Sequence, residues 1–445
     1  MNQPTKLPSP MGLFSARRHG GFLALLAALA CAAPDARAQT AAPPTYDPAF
    51  VQQMLKRMEA QDAELKKLRS EVARGGDAAG APAAAKAEAF PQISFHGFGN
   101  VDYSYRNNGA EAPGKVNKNS FTLGQLDFFV TSRLTENISI LAEVVMEASE
   151  ESNGMGIDLE RILFQWKPSD YFNLDVGRYH SSVGYYNTAY HHGAWFQTAA
   201  GRPRFLDFED GGGVIPAHNI GLQFHGDIPS GTLGLGYILE VGNGRPYNQS
   251  DPGRVPNVVD DNNNKSVNLA FVLRPEAVAG LQLGAGVYYD VLSPQSDSNA
   301  ASPLNAVGRV TELMFHSHVV YKRGPWEWLS EGYLIRHNAR GGAAHLTPAG
   351  YGQLAYKLKS WTPYTRFSYI NAVSGDPAWP FIGADGLRYG PSFGLRWDFS
   401  TLAAFKLQYD YLYTHIHPNG LFYAAPPAEV KGWESAITAQ VSFTF

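Results

Sequence analysis

The C-terminal segment, residues 435–445, alternates between two kinds of side chain up to its last residue. The largely apolar set comprises Ser435, Ile437, Ala439, Val441, Phe443 and Phe445. The residues between them are polar or small. Because successive side chains of a strand point to opposite faces, this pattern predicts a strand with one apolar and one polar wall. A transmembrane barrel has this arrangement, with apolar side chains toward lipid, polar ones toward the lumen and aromatic ones at the interface.

The composition leaves one way for such a chain to cross a membrane. Hydrophobic residues make up 44% and aromatic residues 13% of the sequence, yet the mean hydropathy is −0.24. After the N-terminus, no stretch approaches the roughly 20 apolar residues of a spanning helix. Only helices and closed barrels satisfy their backbone in lipid. The predicted fold class is therefore an all-β transmembrane barrel of about 16 antiparallel strands, preceded by a short periplasmic coiled-coil helix.

Residues 1–38 have the features of a secretory signal peptide. Arg17 and Arg18 precede an apolar stretch at 21–33, and Ala36-Arg37-Ala38 is a small-residue cleavage site. The one cysteine lies inside this segment, so the mature chain would have no disulfide and no thiol-ligated metal. Removing four basic residues and one acidic residue changes the net charge from −4 to −7. This acidity predicts no nucleic-acid partner.

Residues 47–74 carry a helical heptad pattern. Apolar residues recur every seven positions at Val51, Met58, Leu65 and Val72, and a second heptad position holds Met54, Gln61 and Leu68. The pattern predicts a short coiled coil, and the alternative is a single amphipathic helix packed on the barrel. Residues 75–89, rich in Ala, Gly and Pro, form a linker, and 90–445 form the barrel.

The connections between predicted strands differ in length according to their order. Short ones occur near 135–137, 168–170, 229–231, 323–325 and 400–401, and long ones cover 107–120, 180–217, 243–265, 293–309, 371–387 and 415–433. Short and long connections alternate, which predicts one rim of tight turns and one rim of long loops, as in outer-membrane barrels. A soluble β-sandwich is the alternative.

Five pieces of text carry a family resemblance: GQLDFFVTSRLTENISILAEV (124–144), ERILFQWKPSDYFNLDVGRY (160–179), LGYILEVGNGR (235–245), GPWEWLSEGYLIRH (324–337) and the terminal VSFTF. In order and spacing they resemble trimeric outer-membrane porins of the phosphate-selective type and their DcaP-like relatives, which carry an N-terminal coiled coil. The resemblance implies a homotrimer in the outer membrane of a Gram-negative bacterium. It also implies that the third long loop, His180–Ala217, narrows the pore. The chain departs from the dense ladder of Arg and Lys that phosphate-selective members carry.

Strand parity places the charged residues in the lumen, because charge at the lipid face would cost about 2–4 kcal/mol near the bilayer midplane. A few of them, at the narrowest point, would set selectivity. The candidates for the pore lining and the constriction are Arg133, Glu143, Arg161, His191, His192, Arg202, Arg204, Asp207, Glu331, Arg366, Arg396, Lys406 and Asp410. Parity also places Asp102, Arg106, Asp127, Glu240, Glu312 and Glu327 in the lumen.

The sequence carries no motif that indicates an enzyme. It has neither a Gly-x-Ser-x-Gly elbow nor a His-Glu-x-x-His helix. His316 and His318 share a strand face and are interpreted as lumen-lining residues, so neither a metal site nor a cofactor is predicted. The predicted function is passive diffusion of small hydrophilic solutes or ions, with anionic carboxylates as one class. A structural anchor or adhesin and a barrel enzyme are the alternatives.

Overall fold

Strands account for almost all of the described chain. The computed structural model describes residues 91–107, 118–149, 154–208, 213–245, 258–260, 262–292, 308–373, 375–376, 378, 386–416 and 430–445. The predicted signal peptide (1–38), coiled coil (47–74) and linker (75–89) lie outside the described residues. Among the described residues, no helix has the length and apolar character needed to cross a membrane.

Seventeen strand segments lie within the described residues. They are β1 (Gln92–Asn107), β2 (Lys118–Thr122), β3 (Gln125–Arg133), β4 (Ile138–Ser149), β5 (Gly154–Trp166), β6 (Asn173–His180), β7 (His218–Ile228), β8 (Leu235–Gly242), β9 (Ser266–Leu273), β10 (Leu281–Leu292), β11 (Val310–Arg323), β12 (Trp326–Ala339), β13 (Ala344–Tyr356), β14 (Trp361–Ala372), β15 (Gly386–Trp397), β16 (Ala403–Ile416) and β17 (Val430–Thr444). The described helical segments are single turns at Tyr186–Ala189, Arg204–Leu206 and Gly231–Leu233.

The strands close into an antiparallel barrel of 16 positions, which confirms the barrel of the predicted fold class. From β3 to β17 each strand pairs with the next one in sequence, and β17 pairs with β1. The segments β2 and β3 share one position, because both pair with β1. Between them the backbone of Gly124 adopts a φ of +55°, a conformation that favours glycine and interrupts the strand.

The two rims of the barrel differ as predicted. Connections such as 134–137, 324–325 and 398–402 are tight and lie on one end, here called the short-turn rim. The connections that follow β1, β4, β6, β8, β10, β12, β14 and β16 lie on the other end, the long-loop rim. Two connections on the long-loop rim, 150–153 and 340–343, are themselves short. Successive connections therefore alternate between the two rims as predicted, but those on the long-loop rim differ in length.

The outer surface of the barrel is apolar between two aromatic rings. On β16, Leu407, Tyr409 and Tyr411 are exposed, whereas Lys406 and Gln408 are buried. Near the short-turn rim, exposed rings include the stacked pair Trp361 and Trp397. Rings near the long-loop rim are Tyr389, Tyr411, Tyr413 and Trp433. An apolar band between aromatic girdles is the exterior of a transmembrane barrel.

The last residue of the chain joins the two ends of the barrel. Phe445 N donates to Gly97 O at 2.9 Å, and Gly97 N donates to Phe445 O at 3.0 Å. A Cβ on residue 97 would stand 2.4 Å from Phe445 Cζ, so the glycine leaves the room in which the terminal ring lies. Phe445 also meets the ring of Phe128 from β3. The terminal aromatic residue is thus part of the β1–β17 seam.

Candidate functional site

The described residues of the connection between β6 and β7, 181–208 and 213–217, lie inside the barrel and are called the inner loop below. Its apolar side chains, among them Tyr186, Phe205 and Ile215, form one buried cluster with inward side chains of β10–β14 such as Tyr288 and Tyr333. Burial of this apolar surface holds the loop against one side of the lumen. The loop therefore fills the part of the lumen that faces β10–β14.

A buried carboxylate on the wall fixes the first turn of the inner loop. Glu331, on β12, accepts backbone hydrogen bonds from Tyr185 N at 2.6 Å and Tyr186 N at 2.8 Å. The same carboxylate accepts the hydroxyls of Tyr333 at 2.7 Å and Tyr351 at 2.9 Å. With four donors satisfied, Glu331 acts as an anchor for the loop and does not line open pore.

Two cations predicted as pore-lining residues also bind the inner loop. Lys406 is fully buried, and its Nζ donates to the carbonyl oxygens of Ala194 and, at 3.3 Å, Ala199. Arg396 Nη1 donates to Trp195 O at 2.7 Å and Gln197 O at 2.8 Å. Both side chains thus hold the stretch 194–199 against β15 and β16. Their N–H groups satisfy loop carbonyls.

Between the inner loop and the wall formed by β14–β17 and β1 lies a cavity of about 350 Å³. Its lining is mostly polar. The charged residues that line it are Asp102, Arg106, Arg202, Arg204, Asp207, Arg366, Asp410 and Glu434. Five of these, Arg202, Arg204, Asp207, Arg366 and Asp410, are predicted candidates that the structure brings together. Four arginines and four carboxylates give the cavity both signs of charge.

The arginines of the cavity differ in how many contacts they already make with other protein groups. Arg202 stacks on Phe208, with its guanidinium carbon 4.2 Å from the ring centroid, and donates to Leu206 O at 2.6 Å. Arg366 donates to Gly201 O and Arg202 O. Arg204 is 45% exposed and lies 3.8 Å from a Glu434 carboxylate oxygen. Arg204 and Arg106, which are both exposed, are therefore the cations best placed to meet a solute.

Asp207 adds a titratable group to the cavity. Burial raises the pKa of this loop carboxyl to about 6, against the opposing effect of Arg204, Arg202, Arg366 and Arg106. At neutral pH the group is mostly ionised, and at mildly acidic pH it is mostly protonated. The charge balance of the cavity thus changes within an accessible pH range.

Three of the remaining candidates lie elsewhere in the barrel. Glu143 and Arg161 face each other across β4 and β5 and form an ion pair, with Glu143 1% exposed. Arg133 ends β3 at the short-turn rim and is exposed. None of these three lines the cavity.

His191 and His192 lie in a buried cluster that the sequence did not predict. Around the carboxylate of Glu160 stand His191 and His192 from the inner loop and His218 from β7, and the ring of His180 stacks on that of His191. The residues come from separate parts of the chain, so neither motif nor spacing marks them. The available signal was that His180 and His218 bracket the longest connection.

His316 and His318 each make hydrogen-bond contacts with other residues inside the barrel. His316 Nδ1 accepts a hydrogen bond from Gly184 N, and its Nε2 lies 3.1 Å from Asn268 Oδ1. His318 Nε2 lies 3.1 Å from Gln282 Nε2. The two histidines thus help to hold the inner loop and the wall.

The comparison with solved structures identifies the fold. No family model matches the sequence, and no curated protein matches it. The chain is similar in structure to an anion-selective porin from Comamonas acidovorans, with 10% identity, a TM-score of 0.55 and coverage of 80% of this chain and 100% of that chain. It is also similar to OmpT of Vibrio cholerae (12%, 0.52, 81% and 99%) and to the outer membrane channel DcaP of Acinetobacter baumannii (10%, 0.51, 81% and 99%). The chain has the fold of outer-membrane porins.

Proposed function

We propose that the protein is an outer-membrane porin through which small hydrophilic solutes and ions diffuse passively. The observation that carries this proposal is the charged cavity of about 350 Å³ between the inner loop and the β14–β17 wall. A barrel that served only as an anchor or adhesin would have no need of a polar cavity beside its inner loop. The apolar exterior between two aromatic girdles supports a membrane location.

The solute class follows from the groups that the cavity presents. Guanidinium groups bind carboxylates through paired hydrogen bonds, and the side chain of Arg204, which lines the cavity, is 45% exposed. Four carboxylates in the same cavity oppose a strong preference for anions. We therefore propose small hydrophilic solutes, including carboxylates, with weak selectivity between small ions. A phosphate-selective pore is not proposed, because such a pore needs a denser set of cations.

The heptad pattern at 47–74 supports a finer proposal. Three helices of this kind can pair their apolar positions, as three barrels of a homotrimer would require. A coiled coil in the periplasm joined by the linker to each barrel corresponds to the DcaP-like type. The proposed partners are therefore two further copies of the chain, membrane lipid and the diffusing solutes.

Current through planar bilayers tests the proposed function. The purified protein, shown to be folded by its β-sheet circular dichroism, should give stepwise increases in conductance. A variant in which residues 184–206 are replaced by a short Gly-Ser linker removes most of the material in the lumen and should conduct several-fold more. A matched variant with changes only in the 135–137 turn should conduct as the wild type does. Folded, inserted barrels that pass no current, with or without the loop, would exclude a porin.

A further inference from the structure

A second site lies where the inner loop leaves and rejoins the barrel wall. His180 ends β6 and His218 begins β7, and the two residues are partners across the strands. His191 from the inner loop and Glu160 from β5 complete a buried group in which one ligand atom from each residue lies within 4.8 Å of the others. No sequence motif announces this group, since its members are separated by up to 58 positions.

A β-bulge turns Glu160 toward the group. In the pairing of β4 with β5, Glu143 faces Arg161 and Val144 faces Leu159, so Glu160 is the extra residue. A bulge of this kind lets two consecutive side chains point to the same side and is common next to functional sites. Glu160 is 3% exposed, and its side chain is directed at three imidazoles.

A neighbouring amide sets the tautomer of His191. Asn187 Nδ2 donates to the carbonyl oxygens of Ser181 and Ala217, at 3.0 and 2.8 Å, which leaves Asn187 Oδ1 as an acceptor. His191 Nδ1 lies 3.1 Å from that oxygen and so carries the proton. The lone pair of His191 is then on Nε2.

Several acceptors therefore converge on one point. His191 Nε2 is 3.4 Å from Glu160 Oε2 and 2.8 Å from His218 Nε2, and His218 Nε2 also contacts Glu160 Oε2. A lone pair and a carboxylate oxygen at this separation repel each other unless a cation or a proton lies between them. His191 donates its other ring hydrogen, on Nδ1, to Asn187 Oδ1. Metal-bound histidines are oriented by a hydrogen bond of this kind from the ring nitrogen that does not bind the metal.

We propose that Glu160, His180, His191 and His218 bind one divalent transition-metal ion, such as Zn²⁺, at the base of the inner loop. Neutral imidazole and carboxylate are ligands of Zn²⁺, and Co²⁺ and Ni²⁺ accept the same donors. In a tetrahedral site with bonds of about 2.0–2.2 Å, donor atoms lie roughly 3.3–3.6 Å apart, which is within the range of separations found here.

The nearby arginines are bonded mainly to other carboxylates, so the carboxylate of Glu160 remains available to a metal ion. Arg178 lies 3.8 Å from Glu160, but its guanidinium makes two hydrogen bonds of 3.1 Å to Asp158. Arg161 is paired with Glu143, whose Oε2 also lies 3.6 Å from Nε2 of His180. The second oxygen of Glu160 is 3.0 Å from His192 Nε2. An ion here would join His191 of the loop to three strands of the wall and would hold the loop base closed.

Equilibrium binding to the untagged, full mature protein in detergent tests the proposal. After removal of metals with a chelator, the protein should bind one Zn²⁺ per chain, and Co²⁺ should give visible ligand-field absorption that saturates at one equivalent. His191→Ala should abolish this binding, and the isosteric Glu160→Gln should weaken it about tenfold or more. His225→Ala, on β7 but beside Asp175 and outside the group, should bind as the wild type does.

Two results would overturn the metal site. One is wild-type protein that takes up no Zn²⁺ or Co²⁺, which would leave the group as a proton-sharing network. The other is binding that is the same in wild type, His191→Ala and Glu160→Gln, which would place the ion elsewhere. Because His191 lies on the loop and Glu160→Gln keeps the side-chain shape, both variants leave the strands intact. The measurement needs no transport, so it stands apart from the porin proposal.

Discussion

Arg366 Nη1 donates to the carbonyl oxygen of Gly201 at 2.6 Å, across the space between strand β14 and the inner loop. The same guanidinium reaches Arg202 O at 3.2 Å. Both carbonyls belong to the loop stretch that borders the charged cavity. One wall side chain therefore fixes the position of the loop edge that bounds the proposed pore.

Arg366→Ala should release this edge of the loop. The loop carbonyls of Gly201 and Arg202 lose their donor, and each net hydrogen bond to a charged group contributes about 1.5–3 kcal/mol. We expect single-channel currents with more frequent short closures and a higher mean noise. Arg274→Ala, at the short-turn rim, removes a cation that bonds Gln282 and is the control. Equal noise in both variants would contradict the role of Arg366.

Arg204→Ala should shift permeability toward cations. Arg204 is a half-exposed cation of the cavity, and charges near a narrow point dominate selectivity. The measurement is the reversal potential in a tenfold potassium chloride gradient with about 0.1 M on the dilute side, where screening acts over about 10 Å. Arg133→Ala, at the exposed end of β3, should leave the potential unchanged. A shift of the same size in both variants would show that net charge alone governs selectivity.

Acidification should raise the relative permeability to anions. The pKa of Asp207 is raised by burial to about 6, so its carboxylate is lost as the pH falls through that value. The four arginines of the cavity are then opposed by one negative charge fewer. We expect the reversal potential to move toward the chloride value between about pH 7.5 and about pH 5.

Asp207→Asn is the matched control for this effect, because it is neutral at every pH. The variant should show the acidic reversal potential throughout, with little further change. The same pKa shift also affects folding stability. Because the pKa of the Asp207 carboxyl is higher in the folded state, the folded protein binds this proton more tightly, and the contribution of Asp207 to stability grows as the pH falls through about 6. A pH step of equal size in the variant would assign the effect to other groups.

Glu331→Ala should loosen the inner loop more than the loss of any single side-chain contact at the surface of the loop. Two backbone N–H groups and two tyrosine hydroxyls would lose their acceptor in a buried place, at about 1–3 kcal/mol for each group left unsatisfied. Limited proteolysis should cut within 181–217 faster than in the wild type. Glu136→Ala, in the exposed 135–137 turn, should be cut at the wild-type rate. An uncut loop in Glu331→Ala would show that its apolar cluster alone holds it.

The full mature chain should be a trimer in mild detergent. Deleting residues 47–74 removes the heptad positions and should weaken assembly while leaving barrel folding intact. Native mass measurement of both proteins tests this, and heat-dependent gel mobility reports the folded barrel. A monomer for the undeleted mature chain would exclude the proposed assembly.

The strand order and the two faces could be read from the sequence because each strand depends mostly on its own alternation. On β16, for example, outward Leu407, Tyr409 and Tyr411 alternate with inward Lys406 and Gln408, as predicted. Two rims of different connection length also follow from chain order alone. These features are local, so no tertiary information is needed.

The site depends on contacts that alternation cannot give. Parity treats Lys406 and Asp410 alike as lumen charges, but the path of the inner loop buries the first under Ala194 and leaves the second on the cavity. The bulge at Glu160 breaks the two-residue period, so simple parity gives the wrong face for one of two consecutive residues. The position of the loop inside the barrel, and with it the cavity, is set by distant wall residues.

The placement of the inner loop has a consequence for the order in which the molecule can be made. Its partners are far along the chain: Gly184 and His316 are 132 residues apart, and Ala200 and Gln440 are 240 apart. The loop is thus synthesised long before the strands that receive it, and such distant pairings form slowly. Until β11 and β13 are made, Tyr190 of the loop lacks Lys322, which donates to its hydroxyl, and Tyr186 lacks the ring of Tyr351. An assembly factor that shields this segment from premature pairing would therefore act on the first half of the chain.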